Sequence, residues 1–308
     1  MEIEWLEDFL ALAEQRNFSR AAETRNLSQP AFSRRILQLE AWVGASLVSR
    51  ATHRIELTAA GEQWKAAAED LLRRLNLARE RAQEAAAASG ATLRFASTHA
   101  LSATFFPQWL AGIESDRPLG ATVNLVVDNM AGCERLMLQG QAHLLLCHHH
   151  PAAPASLKSN YFLHLDIGAD ILVPVSAPAA HDRSQPRFAL PGEAERPVPH
   201  LAFSDTSGMG RILAAVRGSD GPSAWLTPAF TAHVATVLKV MAEAGRGMAW
   251  LPQSLVAREL ESGRLVRAGG PEWDVPIAIR LYRPRARQNT GVEALWQGLK
   301  RRSDVTHA

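Results

Sequence analysis

The chain has 308 residues, 47% of them apolar, and a formal net charge of +2. That length accommodates two or three compact units of roughly 100 to 200 residues each, and the apolar share excludes wholesale disorder. A charge so near zero supplies no global basic field, so any surface for a polyanion has to be local.

The first segment, "MEIEWLEDFLALAEQRN", is acidic and amphipathic, without the basic start, apolar core and cleavage site of a signal peptide. No run of about 18 apolar residues follows to span a membrane, and Cys133 and Cys147 alone make no disulfide framework. A cytoplasmic protein is expected. Trp5, Leu6, Phe9, Leu10 and Leu12 give one apolar face to a helix over Ile3 to Gln15. Ser19 is read as the N-cap of a short second helix that Asn26 closes. Ser28 is read as the cap of a third, with Pro30 in the first turn, where a missing amide hydrogen is tolerated. In that helix Phe32, Ile36, Leu39 and Val43 recur every three or four residues, and Gly44 is its stop.

"SLVSR" and "RIELT" then predict a small β-hairpin turning over Ala51 to His53. Thr58 caps a long helix reaching about Ala88, on which Trp64, Ala68, Leu71, Leu75, Ala78, Ala82 and Ala85 alternate steps of four and three. This is the pattern of a seam that pairs with another helix, and a dimer through 59–90 is expected. "ASG" at 88–90 marks a boundary, after which compact apolar strands alternate with helical patterns from "TLRFAS" to "GMAWLP". Such alternation argues for parallel sheets covered on both faces. Segments around Ile171 to Ser176 and Pro276 to Tyr282 are candidates to cross between two α/β lobes, and 177–199 reads as loop.

The second and third helices form a helix-turn-helix candidate. A base-reading helix presents polar side chains at its N-terminal end. Here those are Gln29, whose amide can pair with adenine, then Ser33, Arg34 and Arg35, whose guanidinium groups can pair with guanine. Arg16, Arg20, Arg25, Arg50 and Arg54 surround them as a local basic cluster suited to phosphates.

"FSRAAETRNLSQPAFSRRILQLEAWVGASLVSR" followed by "ELTAAG" resembles the N-terminal winged helix-turn-helix of LysR-type transcriptional regulators. The likeness rests on the alanine pair Ala21 and Ala22, the helix start Ser28, Gln29 and Pro30, the pair Leu39 and Glu40, and Leu57, Thr58 and Gly61. Val48 departs from the family's usual phenylalanine ahead of the wing arginine Arg50. "LMLQGQAHLLL" and "VMAEAGRGMAWLP" resemble stretches of the family's effector domain. "RNFSRAAETRNLSQPAFSRRI", "SGMGR" and "GMAWLP" are similar to its hypochlorite-responsive branch.

This resemblance implies an N-terminal winged helix-turn-helix over 1–58, a linker and dimerisation helix over 59–90, and a C-terminal α/β two-lobed effector domain, like periplasmic binding proteins, over 91–308. Lobe I is expected at about 91–168 and 272–308 and lobe II at about 169–271. The assembly implied is a homotetramer, a dimer of dimers. The DNA-binding residues expected are Ser28, Gln29, Pro30, Ser33, Arg34, Arg35, Arg50 and Arg54. Partners are double-stranded promoter DNA, an effector, further copies of the chain and RNA polymerase.

In two-lobed α/β folds a ligand sits at the carboxyl ends of strands, near helix N-termini. That rule selects Ser97, Thr98, His99 and Ser102, then Asn129 and Met130, then Ser204, Ser207 and Met209, with Thr231 and His233 opposite. Hydroxyls, amides and imidazoles suit a small organic anion, although the same serines and threonines also serve as helix caps. Met209, in a glycine-bounded "SGMGR" read as the flexible lip of the cleft, raises an alternative, a hypochlorite-like oxidant that makes the sulfoxide. The run His148, His149 and His150 lacks matched acidic or cysteine partners, so a loop or cleft-edge role is expected rather than a metal. Cys133 and Cys147 read as core residues. With no nucleophile motif, phosphate-binding glycine loop or matched ligand set, neither an enzyme nor a cofactor is expected. A solute-binding protein would account for the α/β half alone.

Overall fold

The computed structural model describes residues 2–49, 55–86, 92–116, 118–153, 156–157, 159–219 and 223–306, in two compact units. The first unit runs through Ala86. It contains α1 (Ile3–Gln15), α2 (Phe18–Thr24), α3 (Gln29–Val43), a wing made of antiparallel β1 (Val48–Ser49) and β2 (Glu56–Leu57), and α4 (Ala59–Ala86). Leu6, Phe9 and Leu12 of α1, Ala21 and Ala22 of α2, and Phe32, Ile36 and Leu39 of α3 close a single core, with Val43 packed beside it. The alanine pair lets α2 approach closely, and Phe18 meets the edge of Phe32 at 6.0 Å between centroids.

The caps differ in part from those expected. Asn17, not Ser19, caps α2, accepting from the Arg20 amide at 3.1 Å. Asn26 follows in the left-handed region at φ 54°. Ser28 occupies the cap position of α3 but makes no side-chain cap bond; its carbonyl accepts from the Phe32 amide. Gly44 ends α3 at φ 78°, as read. Thr58 caps α4 by accepting from the Gly61 amide at 3.0 Å, while its hydroxyl donates to the Ser46 carbonyl. Glu40 fixes the start of the wing, one carboxylate oxygen accepting from the Leu47 and Val48 amides at 2.7 and 3.1 Å.

The expected seam on α4 divides. Trp64 and Ala68 turn inward onto the core of their own unit, joined by Leu72, which the spacing rule had not selected. Steps of four carry one face from 64 to 68 to 72. Leu71 and Leu75, one residue off that row, stand 44% and 43% exposed. Ala78 and Ala82 continue this exposed row, and the side chain of Ala85 lies outside the described residues, as does the boundary at 88–90.

The second unit begins with β3 (Thr92–Thr98), α5 (His99–Thr104), α6 (Phe106–Asp116), β4 (Thr122–Asp128), α7 (Met130–Leu138), β5 (Leu144–His149) and β6 (Phe162–Ser176). It continues through β7 (Val198–Phe203), α8 (Gly208–Ser219), β8 (Leu226–Ala232), α9 (Ala235–Glu243), β9 (Ala249–Pro252), α10 (Gln253–Glu261), β10 (Val266–Arg267), β11 (Val275–Pro284) and α11 (Thr290–Thr306). Among the described residues one seven-stranded sheet runs β10-β6-β11-β5-β3-β4, with β9 also on β6, and β7 pairs with β8 separately.

Strands β4, β3 and β5 are parallel, as are β7 and β8, but β6 and β11 run antiparallel to each other along ten paired positions. The sheet is therefore mixed rather than parallel. Its two long strands are the crossing segments, and β6 begins at Phe162, earlier than its purely apolar end suggests. Two apolar cores flank them: Leu93, Phe95, Leu146 and Trp296 in one lobe, and Val173, Leu201, Leu238 and Trp250 in the other. The stretch after β6 is irregular, as read, yet pinned. The Arg187 amide donates to Ala177 and the Leu190 amide to Ala268, and β7 takes over at Val198.

Candidate nucleic-acid interface and ligand cleft

On α3 the buried row leaves Gln29, Pro30 and Arg34 exposed at the N-terminal end, with Ser28 exposed just before it and Ser33 half-buried. Arg35 differs from its neighbours. One guanidinium nitrogen donates to Asp8 at 3.1 Å, and Asp8 is fully buried in α1. Arg25 donates to the same carboxylate at 2.7 Å and to Glu7 at 2.5 Å. Burial pulls the Arg25 pKa down, but the bond to Asp8 and the charge of Glu7 outweigh it and hold the group above its ordinary value. Arg25 of the expected cluster and Arg35 of the expected base-reading set are thus committed to acids of α1 and brace the helix pair. Arg16, Arg20 and Arg34 remain exposed, and Arg50 and Arg54 lie outside the described residues.

The cleft of the second unit opens where β3 and β4 of one lobe face the ends of β7 and β8 of the other. Seven of the expected residues line it: Thr98, His99, Asn129, Met130, Ser207, Met209 and His233. The imidazoles of His99 and His233 approach across it, with centroids 5.8 Å apart. Ser97, Ser102, Ser204 and Thr231 are not on its lining. The hydroxyls of Ser97 and Ser102 turn back onto the Thr98 and His99 carbonyls, and that of Ser204 meets the Thr206 hydroxyl, so local turn bonding uses them. Asn129 also caps, accepting from the Gly132 amide at 3.0 Å.

Sequence reasoning missed the contributions of Asp128 and Phe203 to the lining, while His148 takes the cleft-edge place expected for the histidine run. Asp128 ends β4, where its carboxylate accepts from the Asn129 amide and lies 3.8 Å from Arg135. His148 sits on β5 with its side chain 3% exposed, and neither ring nitrogen has a hydrogen-bond partner. Asp170, which accepts from the Ser254 hydroxyl, is 4.0 Å away. Burial lowers the His148 pKa against the pull of Asp170, so the ring is neutral at physiological pH. Of the two roles the histidine run suggests, loop or cleft edge, His148 has the second, carried by a strand that extends the apolar "LLLC". The Thr98 hydroxyl is likewise buried without a partner. Among the described residues the lining carries no arginine or lysine and one carboxylate, that of Asp128, so the cleft suits a small, weakly charged guest.

Met209 is not on a flexible lip. It is 6% exposed in the first turn of α8 and packs into its lobe's core. Met130, equally buried, opens α7, and a Cβ on Gly208 would meet its Cβ and Cγ at 3.4 Å. Both cysteines are buried, and burial raises their thiols, Cys133 to about 12, which keeps them protonated.

Comparison with known families is consistent with both parts. Residues 3–62 match the bacterial regulatory helix-turn-helix of the lysR family, and residues 86–304 match the LysR substrate binding domain. Among curated relatives, the HTH-type transcriptional regulator YjiE of Escherichia coli is 32% identical over 302 residues, 97% of this chain and 94% of that protein. Among solved structures, full-length HypT from Salmonella typhimurium, described as a hypochlorite-specific LysR-type regulator, is 29% identical with a TM-score of 0.56, covering 97% of both chains. DarR of Vibrio fischeri, solved in complex with DNA, is 30% identical with a TM-score of 0.55, covering 97% of this chain and 98% of its own. Among the described residues no helix is long and apolar enough to cross a membrane.

Proposed function

The chain belongs to the LysR family of bacterial transcriptional regulators, DNA-binding proteins with an effector domain, and we propose that α3 supplies its base-reading side chains and the cleft its effector site. Gln29, Ser33 and Arg34 read base edges, while Ser28 and Pro30 set the start of the helix against the backbone. Arg35, held by Asp8, orients α3 and reaches DNA with its remaining nitrogens. Arg50 and Arg54 take phosphates from the wing. The exposed row of Leu71, Leu75, Ala78 and Ala82 pairs with a second copy, and two such dimers form a tetramer that meets RNA polymerase at promoters in the cytoplasm.

The effector is a small organic anion carrying a single charge. The observation that carries this reading is the lining itself: hydroxyls, an amide and imidazoles from both lobes converge, and the buried Thr98 hydroxyl and His148 ring have no partners among the described residues. The test is a thermal-shift screen of small monocarboxylates with the full chain, followed by promoter binding with and without each hit. Ser207→Ala and His233→Ala are expected to lose the change in promoter binding. A response unaltered in both variants contradicts the cleft assignment.

A second reading has one observation in its favour, the pair Met130 and Met209 flanking Gly208 at the cleft. Hypochlorite would transfer its oxygen to either sulfur, giving a sulfoxide and leaving chloride. HypT, by its description, answers to hypochlorite. Mass spectrometry after mild hypochlorite treatment should then find one oxygen added at Met130 or Met209 before the other methionines, with promoter binding changed in step. Oxidation spread evenly over exposed methionines contradicts it.

A further inference from the structure

Adjoining the cleft is a second, rear recess partly open to solvent, and the two share Met130, His148 and Gly208 as a partition. Cys147, Ile212, Tyr282 and Arg211 complete the rear walls with Ala153 and His149. Arg211 belongs to α8 and reaches Glu134 of α7, donating from one terminal nitrogen at 2.9 Å. The other oxygen of Glu134 accepts from the Ser156 amide, so this buried carboxylate is occupied at both oxygens. Among the described residues the Nε and second terminal nitrogen of Arg211 have no partner, although its side chain is only 30% exposed. One edge of a guanidinium is therefore used and the other is open, which is the geometry that takes a second carboxylate side-on. Beside it stands His148, nearly fully buried with both ring nitrogens unpartnered, a cost that a native interior seldom leaves uncompensated.

We propose that this rear cavity is a second ligand compartment, distinct from the effector cleft, which takes a short-chain monocarboxylate with its carboxylate on the open edge of Arg211. The short apolar body lies against Met130 and Ile212, and a ring nitrogen of His148 closes the polar side. Because the same guanidinium ties α7 of one lobe to α8 of the other, an occupant acts directly on the tie between the lobes. Because His148 is common to both cavities, the two ligands sense each other through it. The compartment's existence does not depend on what the front cleft binds.

The test is isothermal calorimetry on the full chain with acetate, propionate and butyrate, using uncharged propionamide as the control. Propionate should bind, and propionamide should not. Arg211→Lys, which keeps the charge but not the side-on fork, and Ala153→Leu, which fills the rear cavity without lining the front, should each raise the Kd about tenfold or more. His233→Asn, which alters only the front lining, should leave it within about twofold. If Ala153→Leu melts early, Arg211→Lys and propionamide carry the test. Propionate binding unchanged in Arg211→Lys, equal binding of propionamide, loss of all binding in His233→Asn, or no carboxylate binding at all overturns the proposal. Rear binding that survives in every front variant while promoter binding ignores those variants contradicts the effector-cleft reading and leaves this one standing.

Discussion

Gly61, in the first turn of α4, has the carbonyl oxygen of Leu47 2.0 Å from where a Cβ would stand. Any side chain there pushes α4 off the wing, and backbone cannot move aside as a flexible side chain would. Gly61→Val is expected to cost about 2 kcal/mol or more, read by chemical denaturation. Asp8 is a comparable single point, since one buried carboxylate receives both Arg25 and Arg35. Asp8→Asn should lose on the order of 2 kcal/mol, because two partly buried guanidinium groups keep only a neutral acceptor. His200 gives a pH signature. Burial, with Arg217 adding to it, lowers its pKa from 6.5 to about 4, so between those values the unfolded chain binds a proton that the folded one refuses. Stability contributed by the neutral ring is complete above the unfolded pKa and declines as pH falls towards 4, by on the order of 2 kcal/mol at pH 5. His200→Phe should flatten this dependence in denaturation curves at pH 5 and 7.5. An unchanged slope would assign the effect elsewhere, His148, His149 and His164 being imidazoles that burial shifts the same way.

At the scale of elements, α3 was read almost completely from its spacing, because one face is buried against a single small core and the period of 3.6 records that directly. The cap of α2 was not, because Asn17 and Ser19 are both good caps two residues apart and only the chain path decides between them. Helix α4 lies between these cases. Its alternation is real, but the sequence cannot tell burial within the unit from burial against a second copy, and the helix buries one row in its own unit while the neighbouring row stays exposed. Leu71→Glu with Leu75→Glu should convert the full chain from dimer or tetramer to monomer in sedimentation analysis. The melting of the winged unit should hold, because neither residue belongs to its core. A variant that assembles like the parent contradicts the pairing face.

For the whole molecule, the helix-turn-helix, the two-lobed α/β domain and seven cleft residues were legible, since strand ends and helix starts leave local marks. The antiparallel pairing of β6 with β11 was not, because it joins segments more than a hundred residues apart and parallel and antiparallel strands share one composition. The same distance hid the tie between Arg211 and Glu134, which lie 77 residues apart. The central claim, that α3 reads DNA through its exposed N-terminal side chains, is tested most directly by Arg34→Ala. Duplexes selected from a random library by the parent protein are titrated with both proteins over a range of salt concentrations. The variant is expected to bind them about five- to 150-fold more weakly, a loss of about 1–3 kcal/mol, and to discriminate less among sequences at one position, while its melting temperature is unchanged. Equal affinity and equal sequence choice in parent and variant would contradict the account.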